Sequence, residues 1–282
     1  MQQSTSKTSE QAQSNDLGGR ESIYQPEQEG LIFPQQPEFG SIAEEREHRK
    51  QRLVAGCRAF ALNQFDYGMA GHISVRDPEH TNLYWTNPMA VHFSQVKMSN
   101  LILADHEGRV VEGNHAINRA GFVVHASVHE AHPDIVAMCH AHTPHGTAWC
   151  STGRPIEPYN QDAACFYNNH AVVSDGGAVT VFTNQGLGVV DAFASNRAVL
   201  HKNHGILTAS RHSVDDAVFW FIAMDRCCHV QMLIESCAVK PDLMEDSAAS
   251  HSATHVGSDY LGWLHFQPVY DQVVAANPDM FD

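Results

Sequence analysis

A chain of 282 residues with 43% hydrophobic content is long enough for one large buried core or two small ones. Its formal net charge of −15 argues against nucleic acid or an anionic membrane as partner, since both are polyanions. No apolar run approaches the ~20 residues of a transmembrane helix, and the opening "MQQSTSKTSEQAQSNDLGGRE" has no apolar stretch of the kind a secretory signal needs.

In chain order, residues 1–22 are Ser/Gln/Glu-rich, so disorder is expected, and Ser22–Ser41 mixes apolar residues with proline like an extended arm. This arm, residues 1–41, precedes a domain expected over 42–240. "AEEREHRKQRLVAGCRAFALNQF" has acids in its first turn and helical apolar spacing. "GMAGHISVRD" and "NLYWTN" follow as strands, and "NLILADHEGRVVEG" as a hairpin around His106–Gly108. "AGFVVHASVHEAHPD" is helical up to Pro133, and "IVAMCHAH" is a buried strand. After a loop from Arg154 to Asn169, "HAVVSD", "VTVFTN" and "AVLHKNHGILTA" read as strands, the last broken at His204–Gly205. A long helix opens at Ser213, with Asp215 and Asp216 in its first turn, and runs to about Val239. Residues 241–282 form a C-terminal extension whose apolar piece "YLGWLHFQPVYDQVV" is expected to dock on the domain or on a neighbouring subunit. Central strands with helices at both ends and between them predict a layered α/β domain around a mixed sheet.

Seven cysteines, odd in number and mostly inside apolar runs, fit buried thiols in a reducing, cytoplasmic setting better than a disulfide framework. Histidine is the unusual residue, with 20 against 17 lysines and arginines together. Spacing therefore has to select among them. Residues i and i+2 of a strand share a face, so His140 and His142 of "CHAH" point the same way and can offer two nitrogens to one metal ion at ~2.0–2.1 Å. His204, before a glycine that allows close backbone approach, is the third candidate. His145 lies past the Thr-Pro turn and drops out of the set. Cys139 faces the opposite way, into the core, and Trp149 reads as packing.

From Gly68 to Cys237 the chain resembles the class II aldolase/adducin family, through "GHISVRD", "INRAGFVVHASVHEAHPDIVAMCHAHT" and "VLHKNHGILTA" in order. The resemblance implies a layered α/β/α domain with a central mixed, largely antiparallel sheet. It also implies a divalent metal on His140, His142 and His204, zinc foremost with iron(II) or manganese as alternatives, and a homotetramer acting on a small molecule.

The family's sugar-phosphate aldolases carry an acid about nineteen residues before the first metal histidine, a place taken here by Gly121. Their phosphate-gripping turns correspond to "GHIS", "WTNPMA" and "NRA", in which most hydroxyl and glycine donors are absent. A non-phosphorylated carbonyl or carboxylate substrate is therefore expected. Candidates for the missing acid–base role are His125 and His129, which share a helix face at i, i+4, His72 of the "GHIS" turn, and Asp162 and Tyr167 of the long loop. Each has a plainer structural role available: orienting the metal ligands, capping a turn, or facing solvent.

The leading expectation is a metal-dependent carbon–carbon lyase, by retro-aldol cleavage or decarboxylation; decarboxylation suffers less from loss of the acid because it needs no initial base at carbon. A non-haem iron(II) oxygenase using the same histidines and a non-catalytic adducin-like assembly protein are the alternatives.

Overall fold

The computed structural model describes Pro26, Gln28 and residues 30–175, 187–239 and 241–282. The disorder expected over 1–22 and the strand expected at "VTVFTN" lie outside the described residues.

The chain runs α1 (Ile42–Leu62), β1 (Gly71–Arg76), β2 (Leu83–Thr86), β3 (Ile102–Asp105), β4 (Val110–Glu112), α2 (Arg119–Ala131), β5 (Ala137–Ala141), α3 (Pro144–Cys150), α4 (Gln161–Ala164), β6 (His170–Val173), α5 (Leu187–Ala192), β7 (Ala198–His201), β8 (Gly205–Ser210), α6 (Val214–Ser236), α7 (Asp246–Val256) and α8 (Asp259–Ala276). The eight strands form one sheet in the order β4-β3-β2-β1-β5-β8-β7-β6. Every pairing is antiparallel except β6 with β7. This is the layered, mixed and largely antiparallel α/β architecture expected.

Strand parity divides the core. Ile73 and Val75 of β1 and Cys139 and Ala141 of β5 face one way, into a cluster with Leu53 and Phe60 of α1 and Phe221 and Met224 of α6. Met138, Val199 and Leu207 face the other way, against Val128 of α2 and Val189 of α5. Ser213 caps α6 as read from the sequence, accepting from the Asp216 amide at 3.1 Å, and Ser41 caps α1, accepting from the Glu44 amide at 3.2 Å. α6 stops at Ser236, short of Val239, because Cys237 takes an extended backbone. By length and composition alone α6 is long and apolar enough to span a membrane, a test that a buried core helix also passes, whereas no such segment is expected from the sequence. Asp215, Asp216 and Asp225 are nevertheless buried along it, and it packs against α8, α3 and β8 as the spine of the fold.

One segment differs from expectation, and the C-terminal extension takes one of the two places expected of it. The "Thr-Pro turn" opens a helix, α3, whose cap is Thr143: its hydroxyl accepts from the Gly146 amide at 3.1 Å, and Pro144 takes the first helical position. The C-terminal extension forms two helices, and α8 lies on α6 and α1 of the same chain. Tyr260 and Trp263 are buried in their own chain with Leu261 and Phe33. His265 stacks on Phe219 of α6.

Candidate metal centre and its cavity

Three elements bring the predicted ligands together. β5 carries His140 on the face opposite Cys139, His142 follows one residue beyond the strand end, and His204 sits in the turn joining β7 to β8. Their ligating nitrogens all lie within 4.8 Å of one another. The ring centroids are 5.1 Å (140–142), 4.8 Å (140–204) and 4.9 Å (142–204) apart, each pair edge to face.

The donor chemistry fits a divalent ion. Metal-binding imidazoles must be neutral, and burial pushes His204 down to about 4 and His140 well below its usual value, with the neighbouring imidazoles adding to the effect. His142, half-buried, is lowered by burial too. Nδ1 of His140 lies 2.8 Å from the Ile206 carbonyl. A carbonyl only accepts, so Nδ1 carries the proton and Nε2 keeps the free lone pair. Three protein ligands leave further coordination positions open, as a catalytic ion requires.

A cavity of about 170 Å³ opens on the cluster, lined by six histidines (72, 125, 140, 142, 201 and 204), Asn118 and small apolar residues. Among the described residues no carboxylate, lysine or arginine lines it. His72 arrives there by register: it stands directly opposite His140 in the β1–β5 pairing. Burial holds it to about 4, against a weaker opposing effect of the Gly121 backbone.

Position 121 confronts this ring. A Cβ on Gly121 would lie 2.4 Å from Cε1 and 2.8 Å from Nδ1 of His72. The space that an acidic side chain would need is filled by an imidazole, and helix α2 can approach β1 this closely only without a side chain at 121.

Behind His72 stands a buried polar chain. His125 lies at 4.0 Å between ring centroids, its Nδ1 is 2.8 Å from Oγ of Ser74, and the same hydroxyl is 2.9 Å from Nε2 of His129. His125 faces the cavity, whereas His129 stands behind Ser74, stacks on Tyr84 and does not line the cavity. Asp162 and Tyr167 are not brought to the centre: Asp162 is exposed opposite Arg226, and the Tyr167 hydroxyl donates to Asp246. No residue of the Arg154–Asn169 loop lines the cavity. His145 turns away to Asp225 and stacks on His229. Sequence reasoning missed Ser74, although its parity with His72 on β1 is a usable signal. It also missed Asn118 and His201.

A mixed eight-stranded sheet with a three-imidazole cluster at the mouth of a cavity is an α/β architecture able to hold a divalent ion at an open site. The chain belongs to the class II aldolase and adducin family: residues 51–232 match the model described as "Class II Aldolase and Adducin N-terminal domain". It is 37% identical over 250 residues to Decarboxylase NovR of Streptomyces niveus, covering 88% of this chain and 92% of that protein. It is 36% identical over 250 residues to the 4-hydroxy-3-prenylphenylpyruvate oxygenase/4-hydroxy-3-prenylbenzoate synthase of Streptomyces roseochromogenus subsp. oscitans, covering 88% and 90%. Among solved structures, the L-fuculose 1-phosphate aldolase of Glaciozyma antarctica PI12 superposes with a TM-score of 0.81 at 31% identity, covering 88% of this chain and 97% of that one.

Proposed function

We propose that the chain is a metal-dependent carbon–carbon lyase, with decarboxylation favoured over retro-aldol cleavage, acting on a non-phosphorylated carboxylate or carbonyl substrate with an apolar body. The observation that carries this reading is the cavity wall: imidazoles and small apolar groups around a three-histidine cluster, with Gly121 and His72 where an aldolase acid would stand. His140, His142 and His204 would hold the ion, with zinc, manganese or iron(II) as the candidates. A bound divalent ion supplies Lewis-acid polarisation of a carbonyl or carboxylate oxygen.

The remaining tasks fall to this chain's own groups. The first turn of α2 faces the cavity through Ala120 and Gly121, and its cap Asn118 makes no side-chain bond to the helix amides. Those amides suit one carboxylate; Arg119, the first residue of the helix, is exposed and does not line the cavity. Val124 and Leu207 give the substrate body an apolar wall. Cleavage leaves an electron pair on carbon that must receive one proton. His72 and His125 are the cavity groups able to hold or relay that proton, since neutral imidazole carries one N–H and one acceptor. The similarity to a protein named a decarboxylase supports the same reading.

The second relative's name favours one other reading, an iron(II) oxygenase on the same histidines, because imidazole suits iron as well as zinc. Metal analysis of chain purified without chelator, combined with an oxygen electrode, separates the two. Zinc or manganese with carbon dioxide release and no oxygen uptake supports the lyase, while iron with stoichiometric oxygen uptake supports the oxygenase. A chain that holds no metal refutes both and leaves the non-catalytic assembly role, while an H140A/H142A variant that stays active overturns the assignment of the site to these histidines.

A further inference from the structure

His204 makes contacts on the side of its ring away from the cluster as well as toward it. Its Nδ1 lies 3.1 Å from Nδ1 of His201, the last residue of β7, and Nε2 of His201 meets Oδ1 of Asp175. The parallel pairing of β6 and β7 explains how the carboxylate gets there: Val173 stands opposite His201, so the chain leaving β6 passes beside that ring.

With one proton on each imidazole, hydrogen-bond logic fixes the tautomers. A carboxylate only accepts, so Nε2 of His201 carries a hydrogen. The His201 ring then offers a lone pair at Nδ1. Nδ1 of His204 must be the donor across the 3.1 Å contact, which leaves Nε2 of His204 with its lone pair free. His140 reaches the same tautomer through the Ile206 carbonyl. One ligand is thus set by main chain, which no substitution at position 206 removes, and the other by two side chains, which substitution does remove.

We propose that Asp175 and His201 are positioning residues of the metal centre: a carboxylate–imidazole pair that fixes the tautomer and ring plane of His204 and raises its donor strength. This inference rests on the three-histidine centre proposed above. Hydrogen bonds from a ligand's outer nitrogen to a carboxylate or its relay are worth about 10–100-fold in metal affinity. Asp175 and His201 therefore govern how tightly, and in what geometry, the ion is held, without being ligands themselves.

Cobalt(II) is the probe, because its visible absorption reports coordination geometry without turnover. Wild type, H140A, H201L, H201N and D175A are titrated with cobalt(II) against a competing chelator, with circular dichroism of the metal-free chains as the folding control. Leucine and asparagine have nearly the same shape, but asparagine places an acceptor oxygen where Nδ1 of His201 stands. H201L should bind cobalt about 10–100-fold more weakly with an altered spectrum, H201N should recover most of the loss, and D175A should bind more weakly than wild type but by less than H201L. The Asp175 side chain is about one-third exposed (35%), so D175A tests the pair even where a substitution at the buried His201 disturbs folding. Equal affinities for H201L and H201N, or wild-type affinity in D175A, overturn the pair while leaving the centre standing. A wild-type chain that takes up no cobalt, or an H140A chain that binds it as well, overturns the centre itself and the pair with it.

Discussion

Gly121→Ala adds a single methyl group and probes the whole arrangement of the cavity wall. The added carbon would sit 2.4 Å from Cε1 of His72, and ordinary contact begins near 3.4 Å, so the ring must retreat by roughly 1 Å. It has little room, because His125 lies 4.0 Å behind it and His140 5.7 Å away on the facing strand. Overpacking of this kind costs about 1–3 kcal/mol. Against it stands the gain of alanine over glycine within a helix, about 0.8–1.0 kcal/mol. The net expectation is a loss of about 1 kcal/mol. In a His72→Ala background the clash disappears and only the helix term survives, so the same methyl should stabilise by up to about 1 kcal/mol. The coupling between the two sites is then about 2 kcal/mol, well above the few tenths expected of independent positions. Urea unfolding of wild type, both single variants and the double variant at one chain concentration measures it. If Gly121→Ala has the same sign and size in both backgrounds, the imidazole does not occupy the space that the family's acid would need.

Ser74→Ala would leave Nδ1 of His125 and Nε2 of His129 buried without partners, at about 1–3 kcal/mol for each orphaned group. Equilibrium unfolding checks this, and wild-type stability would show that other groups satisfy the two rings. The pH dependence of the metal-free chain follows from the buried histidines. Burial holds His72 at about 4 and His129 at about 3, and it also lowers His125 and His140. The unfolded chain therefore binds protons first, at its ordinary value near 6.5. Stability is complete above that value and falls as pH drops from 6.5 toward 3, by about 1.4 kcal/mol per pH unit for each such ring. Urea midpoints measured between pH 7.5 and 5 should decline steeply on the acid side, and a flat profile would refute the burial of these rings as neutral groups.

The cluster was legible because alternation and a glycine turn are local signals: "CHAH" places two imidazoles on one face of a strand, and "NHG" marks a bend. What surrounds the cluster was not, because it depends on register. Nothing near His72 in sequence says that it lies across from His140; the β1–β5 pairing decides that, and β1 and β5 are joined through β2, β3, β4 and α2. The same holds for Asp175 and His201, neighbours only through a parallel pairing. The C-terminal helices escaped for another reason. Pro268 reads as a breaker, yet α8 continues through it, and beside it Gln267 donates its side chain to the Trp263 carbonyl at 2.7 Å while packing on α6 holds the helix in place. Gly121 joins both cases. Its missing carboxylate is plain in the sequence, but only the fold shows that the loss is matched by a histidine from strand β1. A change at 121 toward an acidic residue is therefore closed off while His72 remains, and the two positions have to change together.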